Sequence, residues 1–302
     1  MAAPGHARRR LQHADARLAQ LVIRFAAAGL LAVLVAACAG IGSAPGSVER
    51  LYVIDCGENH VKDLSRWTTA ADAGKPAVFS DNCYLVKHAR GWMLWDSGNP
   101  DRLAALPNGL AAPNGILTAF MKKPLAESLK EIGVAPGEIQ HFAMSHSHGD
   151  HSGNANLFGA STVYMQQPEY DAVFGAEPQK YGFLASNFEN LKGSKTVKLN
   201  GDYDVFGDGS VIIKSTPGHT PGHQSLFVRL PKSPPVLLSG DLCHLQANWD
   251  AMRAPSFNFD PQQSVESMKA MDAFLRRTGA RLWINHDFAQ SSTLPKAPLY
   301  VE

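Results

Sequence analysis

The chain has 302 residues, 45% hydrophobic and 18% charged, values ordinary for a globular protein of one large domain or two small ones. A formal net charge of +1 leaves no electrostatic case for nucleic acid or an anionic membrane surface as partner. No basic run extends beyond Arg8–Arg10, and there is no internal repeat or low-complexity tract.

The first segment, 1–38, reads as an export signal. Arginines come early (Arg8–Arg10, Arg17, Arg24), and an apolar stretch, FAAAGLLAVLVAAC, follows from Phe25 to Cys38. That stretch is short for a membrane span and ends in small residues. Its close, LVAAC, resembles a bacterial lipobox, which implies cleavage before Cys38 and a lipid on its sulfur. The expected location is then periplasmic or membrane-anchored, with contact to the membrane only through that lipid. The plainer alternative is a signal cut near Ala37 with Cys38 incidental. Residues 39–50 read as a flexible tether and 51–302 as one folded domain. In an oxidising compartment Cys56 and Cys83 could pair, or could remain two buried thiols.

From Leu51 the chain alternates short apolar strands with turns. LYVID is a strand, and NCYLVKHARGWMLWDSG predicts a hairpin turning at Ala89–Gly91. Residues 99–123 read as a loop. LAESLKEIG has helical spacing at Leu125, Leu129 and Ile132, with Gly133 as a stop. IQHFAMS and TVYMQ are strands, and 168–191 is helical or irregular. KTVKL, SVIIKSTPG, HQSLFVRL and PPVLLSGD are further strands. In DPQQSVESMKAMDAFLRRTGA, Asp260 is placed to cap a helix, Pro261 suits its first position and Gly279 ends it. Val265, Met268, Met271 and Leu275 form its apolar face, and RLWINHD is a last strand. Two strand-rich halves, each with helices, predict an α/β sandwich with sheets inside and helices outside.

The chemistry concentrates in AMSHSHGDHSG, Ala143–Gly153, on a loop leaving a strand. Alternation lets His146 and His148 aim at one point, and Asp150 and His151 at a neighbouring one. Imidazoles and carboxylates of this kind suit zinc and similar ions. One cluster leaves a metal site incomplete, and three more donors stand behind later strands: His219 in STPGHTPGH, Asp241 in LLSGD and His286 in WINHD. Seven donors suit two adjacent metals with one carboxylate between them.

This set resembles the metallo-β-lactamase superfamily over nearly the whole of 51–302. The resemblance implies an αβ/βα sandwich, two mixed β-sheets inside with helices outside, and metals at one edge. It also implies two divalent ions, zinc by preference, one held by His146, His148 and His219 and the other by Asp150, His151 and His286, with Asp241 bridging. WDSG resembles the superfamily's early Asp-Ser/Thr-Gly turn, which makes Asp96 a group that orients a ligand. His223 matches no ligand and reads as supporting or structural. TPGHTPGH, Gly-Asp and His-Asp are most similar to the N-acyl homoserine lactonases that quench quorum signals, so a small lactone or ester is the expected substrate. Several of those carry a tyrosine three residues after the bridging aspartate, where this chain has His244. Water activated between the ions would attack the carbonyl, and His244 or Asp150 would supply the proton that the opened ring needs. Asp150 would first have to loosen from its metal, which favours His244.

Other readings stay open. A zinc β-lactamase of the common type has a cysteine where Asp241 stands, and Cys243 is two residues late. Glyoxalase II resembles a chain with a helical region after the last metal histidine, for which 287–302 is too short. An aryl-ester or organophosphate hydrolase fits the same donors, and so does a non-catalytic metal-binding lipoprotein. Two segments are placed to cover an acyl chain: 108–124, with Leu117, Phe120 and Met121, and 245–259, with Trp249, Met252 and Phe257. Packing inside the domain is the ordinary alternative for each of these side chains.

Overall fold

The structure, a computed structural model, describes residues 47–302. The expected signal segment, Cys38 and most of the tether lie outside the described residues. Thirteen strands form two sheets: β1 (Val48–Val61), β2 (Ala77–His88), β3 (Gly91–Trp95), β4 (Leu110–Ala111), β5 (Leu117–Phe120), β6 (His141–Ala143), β7 (Thr162–Gln166), β8 (Thr196–Leu199), β9 (Tyr203–Asp204), β10 (Val211–Ser215), β11 (Gln224–Val228), β12 (Val236–Leu238) and β13 (Arg281–Trp283). The larger sheet runs β4-β5-β1-β2-β3-β6-β7-β8 and the smaller β13-β12-β11-β10-β9. Both are mixed: β3, β6, β7 and β8 pair in parallel, as do β12 and β13, while the rest are antiparallel.

Period-two alternation sorts the side chains into layers. Leu51, Val53, Tyr84, Val86, Met93 and Trp95 of the larger sheet meet Val211, Ile213, Leu226, Val228 and Leu238 of the smaller in one core between the sheets. Their neighbours Tyr52, Ile54, Leu85 and Leu94 face the other way, into a core shared with helix α1 (Leu125–Ile132), which buries Leu125 and Leu129 there. Phe227 and Leu237 turn outward from the smaller sheet to the longest helix among the described residues, Pro261–Thr278, which buries Met268, Met271 and Phe274. Burying each such side chain contributes about 1.5–3 kcal/mol. The result is the four-layered αβ/βα sandwich that the resemblance implied.

Local signals act as the sequence analysis expects. Asp260 Oδ1 accepts from the Gln263 amide at 2.9 Å, and Gly133 and Gly279 end their helices at φ 88° and 68°. The β2–β3 hairpin turns between His88 and Gly91. Three expectations change. The first strand begins at Val48, inside the expected tether, because Val48 is buried between the sheets and pairs with His88. It also continues through a bulge near residues 55–58 to Val61, where Glu58–Val61 pair with β5. The stretch 99–123 is thus not only loop. It contains β4 and β5, two- and four-residue strands too short to show alternation, whose pairing depends on the neighbour. Cys56 and Cys83, on adjacent strands with Cα atoms 5.7 Å apart, are joined as a disulfide.

Candidate metal centre

The seven expected donors come together at one edge of the sandwich, on loops that follow β6, β10, β12 and β13. After β6 the chain passes through Ser145–His148 into a single helical turn, Gly149–Ser152, which carries Asp150 and His151. His146 Nε2 and His219 Nε2 stand 2.8 and 3.0 Å from His148 Nδ1, and Asp241 Oδ2 is 3.2 Å from His219 Nε2 and 3.8 Å from His146 Nε2. These four make one compact donor group. Asp150, His151 and His286 make a second. Asp241 Oδ1 reaches into it, 3.2 Å from His151 Nε2 and 3.1 Å from His286 Nε2, while the Asp150 oxygens lie 4.0 and 3.8 Å from the same nitrogens.

Four of the five imidazoles are fixed by an acceptor at their other nitrogen, while His146 Nδ1 faces the Ser145 hydroxyl at 3.1 Å. His148 Nε2 lies 3.0 Å from the Tyr181 carbonyl and His286 Nδ1 2.8 Å from the Ser80 carbonyl. His219 Nδ1 is 3.1 Å from Asn258 Oδ1, and His151 Nδ1 is 3.2 Å from Asp96 Oδ2. Asp96 also accepts from the Ser145 amide at 2.6 Å, and holds φ 58° to do both. These acceptors require N–H at the outer nitrogens, so the inner nitrogens present lone pairs to one another and to Asp241. Asp241 Oδ1 is buried and accepts no aligned hydrogen bond. Lone pairs and a carboxylate facing inward without donors between them call for cations, and this donor chemistry fits divalent metal.

The electrostatics agree. Burial holds His146 and His219 well below the ordinary histidine value, and lowers His148 as well. Burial also opposes charge on His151 and His286, but Asp241 and the other carboxylates outweigh it, raising His151 well above the ordinary value and His286 to about 9. Burial alone would raise Asp241; the surrounding imidazoles hold its carboxyl well below the usual range. Without a cation, protons occupy the space beside Asp241.

A family model for the metallo-β-lactamase superfamily matches residues 77–279. The chain belongs to the metallo-β-lactamase superfamily. Among curated members it is similar to the N-acyl homoserine lactonase AttM of Rhizobium johnstonii, 34% identical over 266 residues that cover 83% of this chain and 98% of the relative. The N-acyl homoserine lactonase AiiA of Bacillus thuringiensis subsp. kurstaki is 29% identical over 259 residues, 84% of this chain and 100% of the relative. A solved N-acyl homoserine lactone hydrolase with N-hexanoyl-L-homoserine at its catalytic metal centre superposes with a TM-score of 0.74 at 28% identity, covering 84% of this chain and 100% of that one. The chain is a metal-dependent hydrolase of this superfamily.

In this metallo-β-lactamase-superfamily chain five of the seven donors, His148, Asp150, His219, Asp241 and His286, line a cavity of about 520 Å³. Its lining includes three aromatic rings, Trp67 in edge-to-face contact with Phe79 and Phe257, and the aliphatic side chains of Leu110, Leu117 and Leu184. Of the side chains expected to cover an acyl group, Leu117 and Phe257 line it. Met121, Trp249 and Met252 pack instead into the cores beneath helices, and Phe120 stacks on His60. His244 also lines the cavity, with Nε2 3.1 Å from Asp241 Oδ2 and Nδ1 buried without a hydrogen bond. His223 accepts from the Asp241 amide through Nε2 at 2.9 Å, so it shapes the loop that carries Asp241. Cys243 points into the core under the long helix, where burial pushes its thiol up.

Several contributors escape a reading by motif. Glu169, fully buried, accepts from the Ser147 and Gly222 amides and the Thr220 hydroxyl, tying the His146–His148 loop to the His219 loop. Asn59 donates to Asp150, and Trp67 follows a short 3-10 turn, Leu64–Arg66. Their one sequence signal is polarity out of place: GENHV continues an apolar strand, with Asn59 where a core residue would sit.

Proposed function

We propose that this enzyme opens the ring of N-acyl homoserine lactones using two divalent metals, zinc by preference. His146, His148 and His219 would hold one, Asp150, His151 and His286 the other, with Asp241 shared. Bound metals supply an activated water and a Lewis acid for the carbonyl. The chain's own residues do the rest. The cavity's apolar side chains take an acyl tail, at about 0.8 kcal/mol per buried methylene. His244, beside Asp241 and facing the same cavity, is placed to hand a proton to the alkoxide that ring-opening releases. One observation carries the reading: two donor groups sharing Asp241 floor an apolar cavity, in a chain whose relatives are named as lactonases.

Export, with a lipid on Cys38, belongs to the same proposal. LVAAC motivates it, and the Cys56–Cys83 disulfide is in keeping with an oxidising compartment. Metabolic lipid labelling of the wild type and of Cys38→Ala checks it: label on the first alone supports the anchor, and no label on either refutes it.

The aromatic rings in the lining, Trp67, Phe79 and Phe257, favour a second reading, an aryl-ester hydrolase. One screen separates the two. Metal-loaded enzyme is assayed on homoserine lactones of graded acyl length, other lactones, aryl esters, phosphotriesters and a cephalosporin. Homoserine lactones are expected to react best, improving with tail length until the groove ends. Turnover of aryl esters or phosphotriesters with no lactone loss overturns the lactonase reading.

A further inference from the structure

Asp150 is the loosest of the candidate donors. Its oxygens lie 3.8–4.0 Å from the nearest imidazole nitrogens, and its side chain is 24% exposed where those of His151 and His286 are 0% and 3%. A ligand so placed needs something to hold it. Asn59, on the far end of β1 and 2% exposed, donates from Nδ2 to Asp150 Oδ2 at 2.9 Å.

The direction of that donor is fixed by a chain of contacts. A side-chain amide can rotate end for end, which would turn an acceptor toward the carboxylate. Here Asn59 Oδ1 accepts from Asn99 Nδ2 at 3.3 Å. Asn99 Nδ2 also approaches the Phe120 backbone carbonyl at 3.4 Å, and a carbonyl can only accept. Asn99 is itself anchored by its backbone amide, 3.1 Å from the Cys56 carbonyl and 3.0 Å from Asp81 Oδ2. One backbone carbonyl on β5 therefore sets the polarity of Asn99, Asn99 sets that of Asn59, and Asn59 presents N–H to Asp150. The close approach needs Gly57, where a Cβ would meet Asn99 Nδ2 at 2.6 Å and the Phe120 oxygen at 2.8 Å. Gly57 lies in the β1 bulge, a device that re-aims side chains beside sites.

We infer that Asn59, locked by Asn99, is a positioning residue for the second metal: it holds Asp150 Oδ2 and leaves Oδ1 as that metal's ligand atom. This rests on the two-metal reading of the site. Outer contacts to ligands of this kind typically change metal affinity by roughly 10- to 100-fold.

The test is a metal titration of the metal-free full chain with buffered zinc, resolving the two binding steps and read by bound metal rather than by turnover. Asn59→Ala is expected to weaken the second step by about 10- to 100-fold and leave the first within about threefold. Asn59→Leu keeps the volume and drops the donor, so it gives the same split if the alanine variant folds poorly. Asn99→Ala, which frees Asn59 to rotate, should show a smaller shift of the same step. A wild type that binds two metals, with both steps unchanged in Asn59→Ala and Asn59→Leu, overturns this inference alone. Equal weakening of both steps overturns it too, since that marks a general structural role. A wild type that binds a single metal overturns the two-metal reading and this inference together.

Discussion

The two donor groups differ in how tightly the fold holds them. In the first, the Nε2 atoms of His146 and His219 lie 2.8 and 3.0 Å from His148 Nδ1, and loops on both sheets are laced together around them by Glu169. In the second, His151 and His286 are just as buried, but Asp150 stands off and borders the cavity. A carboxylate and two imidazoles without a third imidazole leave more room on the cavity side. The first group is thus the more enclosed and the second the more open to the cavity, with Asp241 reaching both.

The largest expected effect comes from cutting that coupling. Asp241→Ala should lower metal content at both groups and reduce turnover by at least about 100-fold. Elemental analysis showing one metal fully retained would count against a shared carboxylate. His244→Ala should separate chemistry from binding. Turnover is expected to fall roughly 100- to 10,000-fold with metal content unchanged; a variant that keeps its rate but loses metal makes His244 part of the frame.

A pH series sharpens the same contrast. In the metal-free protein His151 and His286 are raised, His286 to about 9. Groups raised on folding contribute stability that is full below their unfolded value, about 6.5. That contribution is lost as pH rises through the folded value. The melting temperature of metal-free protein should therefore decline between about pH 6.5 and 9. The loaded protein should not follow, because cations take the place of those protons, and zinc uptake near neutral pH should release protons. Parallel pH profiles for both forms, or uptake without proton release, would contradict this. The smallest effect is expected from Asn258→Ala, which removes the outer contact of His219. It should weaken the first binding step by about 10-fold, measured in the same zinc titration, while the second step stays put.

Much of the frame is legible in the chain itself. Leu51/Val53 against Tyr52/Ile54, or Leu226/Val228 against Phe227, are plain period-two patterns, and Asp260, Pro261 and Gly279 mark a helix by local chemistry alone. The donors stand out because histidines and aspartates seldom gather directly behind apolar strands. What escapes is whatever depends on a distant contact. β5 is a strand because β1 passes beside it, and β4 because β5 does. Asn59 looks like an interruption of β1 until Asp150 is placed 2.9 Å away. Met121, Trp249 and Met252, apolar residues on the expected covering segments, end in cores because neither segment's sequence says which way it folds. Cys56 and Cys83 could be paired only once β1 lay beside β2 and the bulge after Asp55 brought their Cα atoms within 5.7 Å.

Apart from Phe79 on β2, the apolar side chains named in the cavity lining lie off the central strands. Trp67 sits on the excursion between β1 and β2, Leu110 and Leu117 on the β4–β5 hairpin, Leu184 between β7 and β8, and Phe257 just before the long helix. The donors hang instead from strand ends packed into the cores. The same segments nevertheless reach back to the donors: the Tyr181 carbonyl, close to Leu184 in the chain, holds His148, Asn258, next to Phe257, holds His219, and Phe79 stacks on His286. An exchange of lining, by drift or by an engineer, must keep those contacts if the ligand cage is to survive it.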